Sequence, residues 1–233
     1  MRGLRAILFK DIVTELRARQ VLPTMVVLGM LIVWILRLVS EAGPVDSRLM
    51  GPATLWIALL FCGLLAQERS FAAEEQDDCI YGLLLAPLDA GTIYLAKLLV
   101  NIIMLAVFSA VIVPVVLIAF DLRPAESLPR LAAILLLGNV GLSSVGTLFS
   151  AMVRFARTRG SLLSIMVLVV LLPMMIPATF ALLVVFGAAP AELAGSGALA
   201  FVGTFRTAIG FLAAFDAIFV AAGWLLFAVA VKE

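Results

Sequence analysis

Histidine is absent from the 233 residues, and cysteine occurs only at Cys62 and Cys79. Without an imidazole there is no Ser/His or Cys/His nucleophile pair and no histidine metal site. Cys62 lies in an apolar run and Cys79 in an acidic one, so a disulfide framework is not expected. Charge is scarce too: 13% of residues are charged and the net charge is +1, which offers no footing for nucleic acid or an acidic substrate. Lysine occurs only at Lys10, Lys97 and Lys232, never in the G-x-x-x-x-G-K-[ST] pattern that cradles nucleotide phosphates. The chain therefore has no P-loop with which to use ATP alone.

What is present is oil. Hydrophobic residues make up 64% and the mean hydropathy is +1.22, against about half apolar in an ordinary soluble chain. Too little polar surface remains to cover a globule, so lipid is the principal solvent. Six apolar runs, 21–40, 51–67, 93–120, 130–153, 161–187 and 207–231, are long enough, or nearly so, to cross ~30 Å of hydrocarbon at ~1.5 Å per residue. The second is the shortest and is open to continuation as a helix into the acidic residues that follow. The expected fold is an all-α membrane protein with six transmembrane helices, a single domain over residues 1–233 with no repeat and no soluble part.

Residues 1–20 combine Arg2, Arg5, Lys10, Arg17 and Arg19 with Leu4, Leu8, Ile12 and Leu16 at steps of four. This predicts an amphipathic helix lying at the membrane surface. The apolar stretch after it is too long for the h-region of a signal peptide. With the N-terminus in the cytoplasm, eleven Lys and Arg fall on the inner side and five on the outer, so both termini are expected inside. The outer loops, such as "EAGPVDSRLMGP" and "GAAPAELAGSG", leave no room for an external domain.

Chemistry-bearing residues are few. Asp216 is essentially the only ionisable side chain placed mid-membrane, which makes it either functional or a carboxyl bonded to groups such as Asn101, Asn139 or Ser143. Asn101 and Asn139 carry the same choice, with helix packing the simpler use. In "LLLGNVGLSSVGTLFSA" small residues recur every few positions and predict a close-packed face. Ser143 and Ser144 have no histidine or suitably placed lysine to activate them as nucleophiles. Pro114, Pro173 and Pro177 interrupt apolar runs, as hinges or cavity linings or as ordinary features of membrane helices.

The segment of residues 68–88 stands apart, with Glu68, Glu74, Glu75, Asp77 and Asp78 interleaved with Phe71, Ile80 and Tyr81 before "LLLAPL" and the stop at Pro87. An amphipathic cytoplasmic helix with acidic and aromatic faces has the makings of a docking element. The basic loop Arg154, Arg157, Arg159 would share its side, pairing with the acids or with headgroups.

These residues resemble the CcmB family, the haem exporter permease of bacterial cytochrome c maturation. Glu68-Arg69-x-Phe71, acids ending in Asp77, "LLLAPL", and Lys97 in "YLAK" follow one another at the family's spacing, and "RTRGSLLSIMVLVVLLPMMIPA", "FDAIF" and "LLFAVAVKE" extend the similarity over most of the chain. Asp78 stands where the family usually has Gly, and Tyr81 where an acid is frequent, which favours a helical segment over a tight turn. The resemblance implies a non-catalytic membrane subunit of an ABC-type exporter in the bacterial inner membrane. It would work as a pair with a second copy of itself and with a separate CcmA-like ATPase that uses the ATP, beside CcmC-like and CcmD-like haem-handling proteins. The coupling helix between spans 2 and 3 would be the ATPase contact, through Glu68, Arg69, Phe71, Glu74, Glu75, Asp77, Asp78, Tyr81 and Pro87. The resemblance offers haem as a substrate, with no cofactor bound by this chain, and leaves open whether haem crosses this subunit; the missing histidine supplies no imidazole for its iron. Two rivals share the architecture: an export permease for a lipid or drug, and a scaffold that the ATPase remodels to release a haem chaperone.

Overall fold

A computed structural model describes residues 8–13, 21–43, 46–76, 90–123, 128–155, 161–187 and 204–230, the side chains of 68–76, 90, 151, 153–155, 161–164 and 228–230 excepted. The elements are α1 (Val21–Ala42), α2 (Ser47–Gln76), α3 (Ala90–Ala119), α4 (Leu128–Phe155), α5 (Ser161–Val185) and α6 (Phe205–Ala230), and residues 8–13 form a further short helical segment. All six long helices contain a stretch apolar and long enough to span a membrane, at Val21–Ala42, Ser47–Gln67, Gly91–Ala119, Leu128–Ser150, Ile165–Val185 and Phe205–Phe227. These agree with the six predicted runs to within a few residues. The chain is an all-α multi-pass membrane protein.

The second helix continues past its apolar stretch to Gln76, so Glu68, Arg69, Phe71, Glu74 and Glu75 lie on helical backbone. Helix is assigned straight through Pro114 in α3 and through Pro173 and Pro177 in α5. Six crossings return the chain to the side from which it started. We call this the terminal side; α2 and α4 end on it, and α3 and α5 begin on it.

Packing is organised around α4, which touches α2, α3, α5 and α6, while α1 lies against α2 and α3. Small residues explain why α4 is the hub. A Cβ at Gly138 would overlap the Trp56 ring, one at Gly141 would crowd Met174 and Asp216, and one at Gly146 would coincide with the Gln67 amide. The main core runs through all six helices, from Met25 and Leu59 to Phe108, Ile134, Leu182 and Leu212. A second, smaller cluster of Ile93, Tyr94, Ala96, Leu98, Leu148 and Phe227 ties the start of α3 to the ends of α4 and α6 on the terminal side. There Tyr94 fills the space left by Gly223, and Trp224 that left by Gly91.

Lipid-facing surface is equally plain. Trp34, Ile35, Leu38, Ile118, Leu172 and Ile218 are exposed, as expected where hydrocarbon replaces water.

On the opposite side the helix ends are closed by local geometry. Asp121 adopts a left-handed backbone (φ 48°) after α3, with Leu122 N–H donating to the Leu117 carbonyl at 2.9 Å and Asp121 N–H to that of Ile118 at 3.3 Å, the paired bonds of a Schellman cap. Gly187 (φ 66°) ends α5 in the same left-handed conformation.

Candidate functional site

The two limbs of the acidic segment end against the same short stretch of α4. From α2, Gln67 Nε2 donates to the Leu142 carbonyl at 3.0 Å. From α3, Tyr94 OH donates to the Ser144 carbonyl at 3.3 Å and Asn101 Nδ2 to Thr147 Oγ1 at 2.8 Å. Gln67, Tyr94 and Asn101 are all buried. The local cause is Gly146: the Leu142 carbonyl points along the helix toward residue 146, and a side chain there would cover the oxygen that Gln67 reaches. Both limbs thus bond to residues 142–147 of α4.

The α3–α4 seam continues toward the opposite side with Ser109 and Asn139, whose Nδ2 donates to Ser109 Oγ at 3.0 Å. Asn101 and Ser109 are eight residues apart on α3, as Thr147 and Asn139 are on α4, so the two bonds hold one antiparallel register. Both asparagines thus bond across the α3–α4 seam.

Asp216 differs. It is buried on α6 against Gly141 of α4 and Met174 of α5, and neither carboxyl oxygen has a hydrogen-bond partner among the described residues. Asn101 and Asn139 bond instead to Thr147 and Ser109, and Ser143 Oγ has no hydrogen-bond partner among the described residues.

A contact that sequence reasoning missed lies at the start of α3. Lys97 Nζ stands 2.8 Å from Asp11 Oδ2 of the N-terminal helical segment, with side-chain exposures of 5% and 9%. Lys10 Nζ lies 3.3 Å from the other oxygen, Asp11 Oδ1, and is half-exposed. No local pattern in the sequence points to Asp11 as the partner of Lys97.

Of the other predicted site residues, Glu68, Arg69, Phe71, Glu74, Glu75 and Arg154 are placed by backbone alone. Asp77, Asp78, Tyr81, Pro87, Arg157 and Arg159 lie outside the described residues.

On the opposite side a pocket of about 370 Å³ is lined by Arg48, Asp121, Leu122, Arg123, Phe186 and Gly187. Its charges cancel: two arginines face one carboxylate and the C-terminal, partly negative ends of α3 and α5. It selects no ligand by sign. Among the described residues no group of three Cys, Asp or Glu comes together to hold a metal.

Among the described residues, the polar bonds between helices gather on α4. The CcmB protein family model matches residues 2–222. Heme exporter protein B of Paracoccus denitrificans (strain Pd 1222) is 33% identical over 138 residues, 59% of this chain and 62% of that protein. Heme exporter protein B of Pseudomonas aeruginosa is 28% identical over 136 residues, 58% and 60% of the two chains. The chain thus spans about six tenths of the length of these curated relatives. The family match is the longer, running from the N-terminal segment through both limbs of the acidic segment and α4 into α6, and by it the chain belongs to the CcmB family.

Proposed function

We propose that this chain is the transmembrane permease subunit of an ABC-type haem exporter complex in cytochrome c biogenesis, coupled to a separate cytoplasmic ATPase. It lies in a bacterial inner membrane with both termini in the cytoplasm, the orientation favoured by the excess of Lys and Arg on the terminal side. Its working partners are a CcmA-like ATPase, a second copy of itself, and CcmC-like and CcmD-like haem-handling proteins. The names of the curated relatives support haem as the substrate.

The observation that carries the reading is the convergence on α4. A helix that leaves the bilayer without a break at Gln67 and runs on to Gln76 is a stiff lever, and the return limb enters α3 a turn before Tyr94. Docking of the ATPase on Glu74, Glu75 and Asp77, together with Glu68, Arg69, Phe71, Asp78 and Tyr81, displaces the segment when nucleotide closes the ATPase pair. Gln67 and Tyr94 pass that displacement to residues 142–144 of α4, and α4 to the remaining helices it touches. This chain contributes no catalytic group: it converts a push at one membrane face into a rearrangement of helices.

The test is charge reversal at the lever. Replacing Glu74, Glu75 and Asp77 with Lys is expected to abolish co-purification of the ATPase while the detergent-solubilised bundle keeps its helical circular dichroism. Undiminished co-purification would remove the lever assignment. ATP-dependent haem flux into vesicles containing the reconstituted complex separates transport from scaffolding, which predicts ATP turnover without flux.

A further inference from the structure

The Asp11–Lys97 ion pair does not follow from either the apolar pattern or the lever. Lys97 rises from the apolar cluster of Ile93, Tyr94, Ala96 and Leu98 and is itself almost fully buried. It lies seven residues into α3, about 10 Å along the helix from Ala90. A lysine in that setting is retained against a desolvation cost, and a buried pair adds little net stability while fixing one arrangement of the elements that carry it. The elements here are the N-terminal helical segment and the very limb through which the acidic segment enters the bundle. The same limb is also held by neutral bonds, Tyr94 to Ser144 and Asn101 to Thr147. Tyr94, Lys97 and Asn101 follow one another at steps of three and four, one stripe along the first turns of α3.

We infer that Asp11 and Lys97 are positioning residues that clamp the N-terminal segment to the entry of the third span, so that segment and span move as one body when the lever moves. The mechanical consequence rests on the proposed lever; the clamp itself does not. The N-terminal segment then becomes a second carrier of the stroke, lying along the membrane surface beside the lever.

Two measurements test this. In the first, Asp11→Asn, Lys97→Met, Asp11→Glu and the exchanged pair Asp11→Lys with Lys97→Asp replace the native chain in cells. The two single neutralisations are expected to lower covalent haem attachment to c-type cytochromes about tenfold or more, an effect well within what truncating one partner of a buried pair can produce, while the ATPase still co-purifies. Asp11→Glu is expected to retain output and the exchanged pair to restore most of it. A merely structural lysine would gain nothing from the exchange. Full output from both neutralised variants, no restoration by exchange, or loss of the ATPase with either single variant would overturn the inference.

In the second, spin labels are placed at Phe9→Cys and Leu99→Cys, both exposed positions, with Cys62 and Cys79 replaced by Ser, in bilayers without the ATPase. A narrow distance distribution that broadens with Asp11→Asn is expected. A broad distribution in the chain with its ion pair intact overturns the clamp whatever the ATPase does. A narrow one, alongside an ATPase indifferent to charge reversal at Glu74, Glu75 and Asp77, would sink the lever and leave the clamp standing.

Discussion

The fourth and first helices make opposite uses of similar material. Of the six candidate spans α4 is the least hydropathic and the most buried, with 67% of its apolar window inside the protein, whereas α1 is more hydropathic and only 22% buried. In a water-soluble protein the order would be reversed. Here Gly138, Gly141, Ser143, Ser144, Gly146, Thr147 and Ser150 turn inward because lipid tails solvate Leu and Ile as well as a core does. What drives helices together is close approach of backbones and hydrogen bonds between them. In α1 the side chains of Val27, Met30, Leu31, Trp34 and Ile35 are left to the hydrocarbon. In α4 it is the small and polar face that turns inward. Every other long helix but α1 packs substantially against α4.

The comparison would break most visibly at Gly146. A Cβ there coincides with the Gln67 amide, so Gly146→Val must push α2 off α4 or expel Gln67 from its bond to the Leu142 carbonyl. Overpacking of this kind costs about 1–3 kcal/mol, and the upper end is expected, read as a lowered midpoint of thermal unfolding in detergent. Gly210, on α6 with open space around it, is the control: Gly210→Val should move the midpoint little. If the two variants behave alike, α4 is not the hub.

Asp216 is next. A carboxyl with both oxygens buried and unpartnered is a liability that an apolar side chain of similar size removes, so Asp216→Leu should stabilise the bundle by about 1 kcal/mol, the low end of the mutational cost of an unpaired buried polar group. A variant that is more stable yet loses output would show that Asp216 is kept for transport. One that is less stable would reveal a partner outside the described residues, such as a second copy.

How much of this could be read from residues alone follows from range. The spans are local properties, fixed by about 20 consecutive apolar side chains, and their limits were legible to within a few residues. The continuation of α2 was legible only as an option, because nothing between Gln67 and Gln76 breaks a helix. The small-residue face of α4 announced close packing, but not that Gln67 and Tyr94 would come to it from the two limbs. Asp11 with Lys97, and Asn139 with Ser109, are pairings between distant positions that leave no periodic mark on either partner. Asp216 shows the same limit: its depth is legible in the sequence and its surroundings are not.

The smaller effects sharpen the contrast. Asn139→Leu breaks the bond to Ser109 in the middle of the α3–α4 seam, and interhelical bonds in lipid average about 0.6 kcal/mol because the separated helices find other partners. Asn101→Leu should cost a similar amount, with the loss of both short of the sum if the seam acts as a unit. Ile218→Ala, on the exposed face of α6, should stay within about 0.5 kcal/mol, as for surface positions generally, since the side chain is in apolar surroundings whether the helix is packed or apart. Its value lies in what a larger loss would mean. A cost near that of a core truncation, measured in bilayers and absent from dilute detergent, would place α6 against another chain there, and the face now assigned to lipid would be an interface.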